Sequence, residues 1–186
     1  MKRRFLLLLG TLALAGCGGA RIQSYQLAPV PGAVRGGTGA RIGVRSIGVP
    51  AALAQSSLPM PGSAYEANSF SNDQWAGSLP AQLQSTMVQN LAQRLPGDLV
   101  IASGGTIGAA PDIYVEINVL AFSPDASGNI TLQAQLATRH ANAQDWQLQN
   151  FRSSAAGGNT PDGIAAAMST LWGQAADYVA EMIPQT

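Results

Sequence analysis

Few side chains in this sequence are placed to do chemistry. His140 is the lone histidine and Cys17 the lone cysteine. Zinc therefore lacks a His/Cys ligand set, and a serine or thiol nucleophile would depend on a single imidazole as its base. His140 follows Arg139 at the end of a strand-like stretch, where an exposed or hydrogen-bonded structural histidine is the better reading than a general base. Neither a GxSxG elbow nor an HExxH motif occurs, which removes the usual serine-hydrolase and metalloprotease signatures. Asp112 and Glu116 stand four apart in DIYVEINVLAF, so on a strand both point to one side. Paired carboxylates can perform acid and base work in a cleft, but this stretch reads as the solvated face of a sheet. Gly104-Gly105-Thr106-Ile107-Gly108 follows a short apolar run, as phosphate-cradling turns do. It lacks the GK[ST] ending and leads into a strand rather than a helix N-terminus, which makes it a turn. The expectation is of no catalytic residue, no metal and no cofactor.

Cys17 is left. An unpaired cysteine in an exported protein is free, joined to another molecule or modified. Lys2, Arg3 and Arg4 open the chain, Phe5 to Gly16 is a short apolar run, and Ala15-Gly16 supplies small residues for processing, so residues 1–16 read as an export signal. The run is too short to span a bilayer, which needs about 20 apolar residues. Leu14-Ala15-Gly16-Cys17 resembles the bacterial lipobox. That resemblance implies a diacylglyceryl group on the Cys17 sulfur, cleavage before Cys17 and acylation, for example with palmitate, of the new amino terminus. Each buried methylene contributes about 0.8 kcal/mol, so several chains make the anchor practically permanent. Gly18 follows, not the aspartate of an inner-membrane retention signal, and the expected site is the outer membrane, facing the periplasm.

Without the signal the chain is long enough for one domain with a sizeable core. The mature part keeps seven arginines and no lysine against ten acids, a net charge of about −3. Nucleic-acid and anionic-membrane binders need clustered Lys and Arg, so neither class fits. Membrane contact is expected through the lipid. Charged residues are 11% of the chain, which leaves much of the surface polar but uncharged.

The elements that would position these groups follow from periodicity. Residues 17–40 mix Gly, Pro and isolated apolars with no period, and read as the lipidated N-terminus and a flexible tether; Tyr25 and Leu27 are the exceptions that would dock as a short edge strand. The domain is expected over 41–186. Ile42, Val44, Ile47 and Val49 alternate with a slip at Arg45-Ser46, a strand with a bulge that Pro50 stops. A loop, LPMPGS, leads to a second strand over residues 64–70. Leu79, Leu83, Met87, Leu91 and Leu95 recur every four residues, a helix that starts either at Asn72 or Asp73, taking in Trp75, or at Ser78. Asp98 to Ala102 is a short strand. Ile113, Val115, Ile117 and Val119, then Ile130, Leu132, Ala134 and Leu136, form a hairpin, with Trp146, Leu148 and Asn150 in a following strand. Thr160 and Pro161 begin a last helix, with Ile164, Met168, Leu171, Trp172, Ala175, Val179 and Met182 on one face and Pro184 at its end. The fold class is α/β (α+β): a single domain with a mostly antiparallel mixed sheet of six or so strands and two long helices on one face. Trp75, Trp146 and Trp172 are expected in or around the core. LPMPGSAYE is the candidate contact surface, because Met60 sits between two prolines with no core to enter; Leu58, Met60, Tyr65 and Trp75 are the candidate partner contacts.

Taken in order, Tyr25-x-Leu27, IGVRSIGVPAAL, Trp75 with its following helix and LAQRLP, DIYVEINVLAF and GNITLQAQL, behind a lipobox, resemble the ABC-type transport auxiliary lipoproteins, a group that includes the PqiC/YmbA-like lipoproteins. The sequence departs from the family at Ala52, where a tyrosine is usual, and at Leu79-Pro80, where the order is inverted. The resemblance implies a non-enzymatic outer-membrane lipoprotein. Its partner would be an MCE-domain (mammalian-cell-entry) subunit of an ABC-type lipid transporter, with ring-like homo-oligomers fitting the family. Rival readings are a direct lipid-binding carrier, which requires an apolar pocket of a few hundred Å³, and an envelope-assembly or secretion lipoprotein.

Overall fold

Strict alternation builds the centre of the molecule. The computed structural model describes residues 21–63 and 65–183; the signal 1–16, Cys17, Ala64 and Pro184 lie outside the described residues. In chain order come β1 (Gln23–Tyr25), β2 (Arg41–Val44), β3 (Ser57–Pro59), β4 (Ser69–Trp75), α1 (Leu79–Arg94), β5 (Leu99–Ala102), β6 (Ile113–Pro124), β7 (Asn129–His140), β8 (Gln147–Ala156) and α2 (Pro161–Met182). A five-stranded sheet has the order β5-β2-β6-β7-β8, and a three-stranded sheet the order β1-β4-β3. In the large sheet β2 runs parallel to both β5 and β6, while β6, β7 and β8 form an antiparallel meander. The chain is a single α+β domain. Its small sheet is a separate unit that the polar sequence of β4 gives no sign of.

Ile113, Val115, Ile117 and Val119 of β6 face Thr138, Leu136 and Ala134 of β7 in one buried layer. A register shift lies between Val119 and Ala121. It moves the inward positions from odd to even numbers, so Phe122 and Pro124 continue the buried face while Leu120 turns out, 49% exposed. The slip at Arg45-Ser46 is present too: β2 ends at Val44, and the chain rejoins β6 at a parallel bridge between Gly48 and Asn118.

Both helices pack on this layer. Of the two possible starts for α1 the later one holds: Ser78 Oγ accepts from Ala81 N (3.3 Å), and Pro80 falls in the first turn, where its missing N–H costs no bond. Leu79, Leu83, Met87, Leu91 and Leu95 are wholly buried. Thr160 caps α2 by accepting from Gly163 N (3.2 Å). Ile164, Met168, Leu171, Trp172, Ala175 and Val179 are buried, and Met182 half-buried. Trp172 Nε1 donates to Leu83 O (3.0 Å), tying the helices together where Trp172 also meets Phe122.

Two strands differ from expectation. Residues 65–68 belong to the connection between β3 and β4, closed by Met60 N donating to Asn68 O (2.9 Å), and the strand itself runs from Ser69 to Trp75. Strand β8 continues past Asn150 to Ala156. Both are largely exposed, so burial imposes no alternation that a sequence could display.

The tether differs most. Among the described residues 21–40, β1 pairs with β4, Leu27 is 6% exposed, and extended chain then lies along both helices. This strap is held by side chains: Leu27 N donates to Gln82 Oε1, Ala28 N to Ser169 Oγ, and Val30 N to Asn90 Oδ1. Arg94, wholly buried, donates to Val30 O, Asn90 O and Gly173 O and through Nε to Asp177 Oδ1 (2.6 Å). A Cβ on Gly32 would lie 2.2 Å from the Arg94 guanidinium and 2.3 Å from Asp177 Oδ1, so only glycine fits there. The strap is neither helix nor sheet, and each contact is with a different side chain. It therefore carries no period. The docking of Tyr25 and Leu27 is as expected, although β1 lies in the small sheet.

Candidate functional site

A half-open groove of about 840 Å³ lies between residues 50–69 and the β6–β7 end of the large sheet. Pro50, Leu53, Met60, Trp75, Phe122 and Pro124 supply much of its apolar lining. One wall begins with a turn in which Leu53 N and Ala54 N both donate to Pro50 O, and continues through β3. The other is the end of the bulged β6: the shift that turns Phe122 inward also leaves Leu120 and Ala121 beside the groove.

The rim on the β6–β7 side is rigid and charged. Asp125 Oδ1 accepts from Ser127 Oγ (2.6 Å), Ser127 N (2.8 Å) and Asn129 N (3.0 Å), and Gly128 takes φ of +80° to close the turn. The Ser127 hydroxyl first, then the Asn129 N–H, hold this carboxyl below the ordinary carboxylate range. Across the groove, Glu66 Oε2 accepts from Asn68 Nδ2 (3.2 Å) and Ser63 N (3.4 Å).

The four expected contact residues separate into two pairs. Met60, 37% exposed, and Tyr65, 99% exposed, are open to a partner. Leu58 is wholly buried and Trp75 is 2% exposed. Leu58 therefore meets the core rather than a partner, and Trp75 contributes only to the floor of the groove. The reason is that β3 and β4 pair, which turns Leu58 inward from what the prolines suggested was a loop, while Trp75 at the end of β4 takes the core position also expected of it. Cys17 lies outside the described residues.

The other chemical candidates lie away from the groove. His140 is exposed at the end of β7, opposite Ile113. Asp112 and Glu116 share a side of the sheet as expected, and each is engaged by an arginine four residues apart on the neighbouring strand segment: Arg41 with Asp112, Arg45 with Glu116. Arg41 Nε, Nη2 and backbone N all donate to Asp112, which lowers its carboxyl to about 2. A carboxylate held as Asp112 is makes a poor proton carrier near neutrality. The loop after β5 is an exposed turn with φ of +83° at Gly104. Trp146, half-buried on the outer sheet face, stacks under Arg139 at 4.9 Å, while Trp75 and Trp172 are core residues. Among the described residues no three His, Cys, Asp or Glu side chains gather as a metal site, and no helix is long and apolar enough to cross a membrane. The β6–β7 wall escaped sequence reasoning; the S-P-D-x-S-G-N turn is visible, but the bulge that places it over β3 and β4 is not.

The family described as "ABC-type transport auxiliary lipoprotein component" matches residues 25–180. The chain is 28% identical over 192 residues to the "Intermembrane transport lipoprotein PqiC" of Escherichia coli K12, with 97% of each chain covered, and equally to that of Shigella flexneri. Among solved structures, the fold is shared with an uncharacterised protein at a TM-score of 0.74 and 20% identity, covering 88% of this chain and 99% of that one. A Xanthomonas campestris protein aligns at a TM-score of 0.70 and 15% identity, covering 88% and 94%.

Proposed function

This chain belongs to the ABC-type transport auxiliary lipoprotein family, and on that premise we propose that it is a non-enzymatic, lipid-anchored component of an intermembrane lipid transport system. Cys17 carries the anchor at the periplasmic face of the outer membrane, and the domain docks on the MCE-domain subunit of the transporter. The observation that carries this reading is the family match over residues 25–180, which begins eight residues after a lipobox cysteine. The engagement of Asp112 and Glu116 by arginines supports a role without catalysis. Photo-crosslinkers distributed over the exposed surface test it in cells. Capture of an MCE-domain subunit is the expected result, lost in the Cys17→Ala variant; capture of outer-membrane channel or polymer-secretion components instead would transfer the chain to envelope assembly.

The groove favours a second reading, a direct lipid carrier. Its volume of about 840 Å³ falls within the range of small-molecule sites. Organic extraction of protein purified from membranes separates the two: stoichiometric phospholipid beyond the covalent anchor makes it a carrier, and none leaves it a docking component.

A further inference from the structure

We infer that the connection between β3 and β4, with Met60 and Tyr65 at its surface, rests on the lipid bilayer, so that the groove opens at the membrane rather than toward the periplasmic partner. The inference builds on the anchor at Cys17 and concerns which way the anchored domain faces. Strand β1 is parallel to β4, with Gln23 opposite Asp73 and Tyr25 opposite Trp75. Residues leading into β1 therefore approach from the Ser69 end of β4. Pro59 is opposite Ser69, and Met60 N bonds Asn68 O. The connection thus lies at the end of the small sheet where the anchored segment enters.

Five residues separate Cys17 from Gln23, six Cα-to-Cα steps that reach about 20 Å at full extension. A domain of this size is about 40 Å across. So short a leash holds the entry end near the headgroups and keeps the rest of the domain away from them.

At this end Ile22 is 62% exposed, Met60 37% and Tyr65 99%. An exposed tyrosine at the same end as Ile22 and Met60 suits the membrane interface, where its ring meets the acyl boundary and its hydroxyl the headgroups. The one acid of the connection, Glu66, is occupied by Asn68 and the Ser63 N–H, and Arg21 beside Ile22 is exposed, available to lipid phosphates.

The test uses the mature, lipidated full chain in phosphatidylethanolamine/phosphatidylglycerol vesicles. The thioether at position 17 leaves no other thiol, so Tyr65→Cys, Met60→Cys and, as control, Leu148→Cys each take one environment-sensitive dye. Leu148 is 69% exposed and opposite Ala137, six residues along β7 from the groove-lining Thr131, about 20 Å away. The dye at 65 and at 60 is expected to shift to the blue on reconstitution and to lose intensity to brominated lipid, while the dye at 148 does neither. A dye at 65 as wet as that at 148, on protein that floats with the vesicles, overturns the inference and leaves the anchor standing. Blue-shifted emission without quenching by brominated lipid gives this surface to a second copy and equally overturns it. Protein that does not float with vesicles overturns the anchor reading and this inference together.

Discussion

Arg94 carries more of this fold than its type suggests. A wholly buried guanidinium is tolerated because its donors meet Asp177 and three backbone carbonyls, drawn from α1, α2 and the strap. Replacing Arg94 with Ala would strand Val30 O and Gly173 O without their partners and is expected to cost about 3 kcal/mol, measured by denaturant unfolding. Gly32→Ala should act in the same direction without removing a charge, because its new methyl overlaps the guanidinium. Asp112 gives a pH prediction. Its folded carboxyl titrates at about 2, against an ordinary 3.8, because Arg41 donates to it. A depressed carboxylate stabilises fully above its unfolded value and loses that contribution as pH falls from about 4 to 2. Asp112→Asn is therefore expected to flatten the decline of the unfolding midpoint across that window and to lower the midpoint near pH 7. Arg94 stands between Gln93 and Leu95 near the end of the helix pattern, where an arginine reads as a solvated residue. Only the carbonyls around it show otherwise.

The elements that the sequence discloses are those half-buried along their whole length. α1, α2 and the β6–β7 hairpin obey 3.6- and 2-residue periods because one side of each meets the core. β4 and β8 are pinned by backbone pairing while most of their side chains are exposed or only half-buried, Trp75 excepted, so SFSNDQW and QLQNFRSSAA carry no clear alternation. The strap is the extreme case, with single residues rather than a face making the contacts. Leu27→Ala is expected to destabilise the domain by about 2–3 kcal/mol, read as a lower thermal midpoint. A free tether would show no change at this position.

For the molecule as a whole, most of the fold was legible and only half of the candidate site. Met60 and Tyr65 are open as their prolines and polarity imply, whereas Leu58 and Trp75 are taken into the core by a strand pair whose sequence is polar. The groove is also invisible to a sequence, since its walls lie some sixty residues apart and meet through the bulge in β6. Docking of residues 21–40 shortens the free leash between sulfur and domain. Inserting about 20 Gly/Ser residues after Gly19, an r.m.s. span of roughly 25 Å, should leave thermal unfolding unchanged while abolishing quenching of a dye at position 65 by brominated lipid. The same packed strap decides how the domain answers to tension. Any pull between a bilayer and a partner enters the chain ahead of β1, along the strand axis, so the three β1–β4 pairs resist together in shear rather than opening one at a time. Beyond them stand Leu27, then the Asn90 and Arg94 contacts to Val30. Under strain the domain would give way first at its anchored end, with the five-stranded sheet still intact.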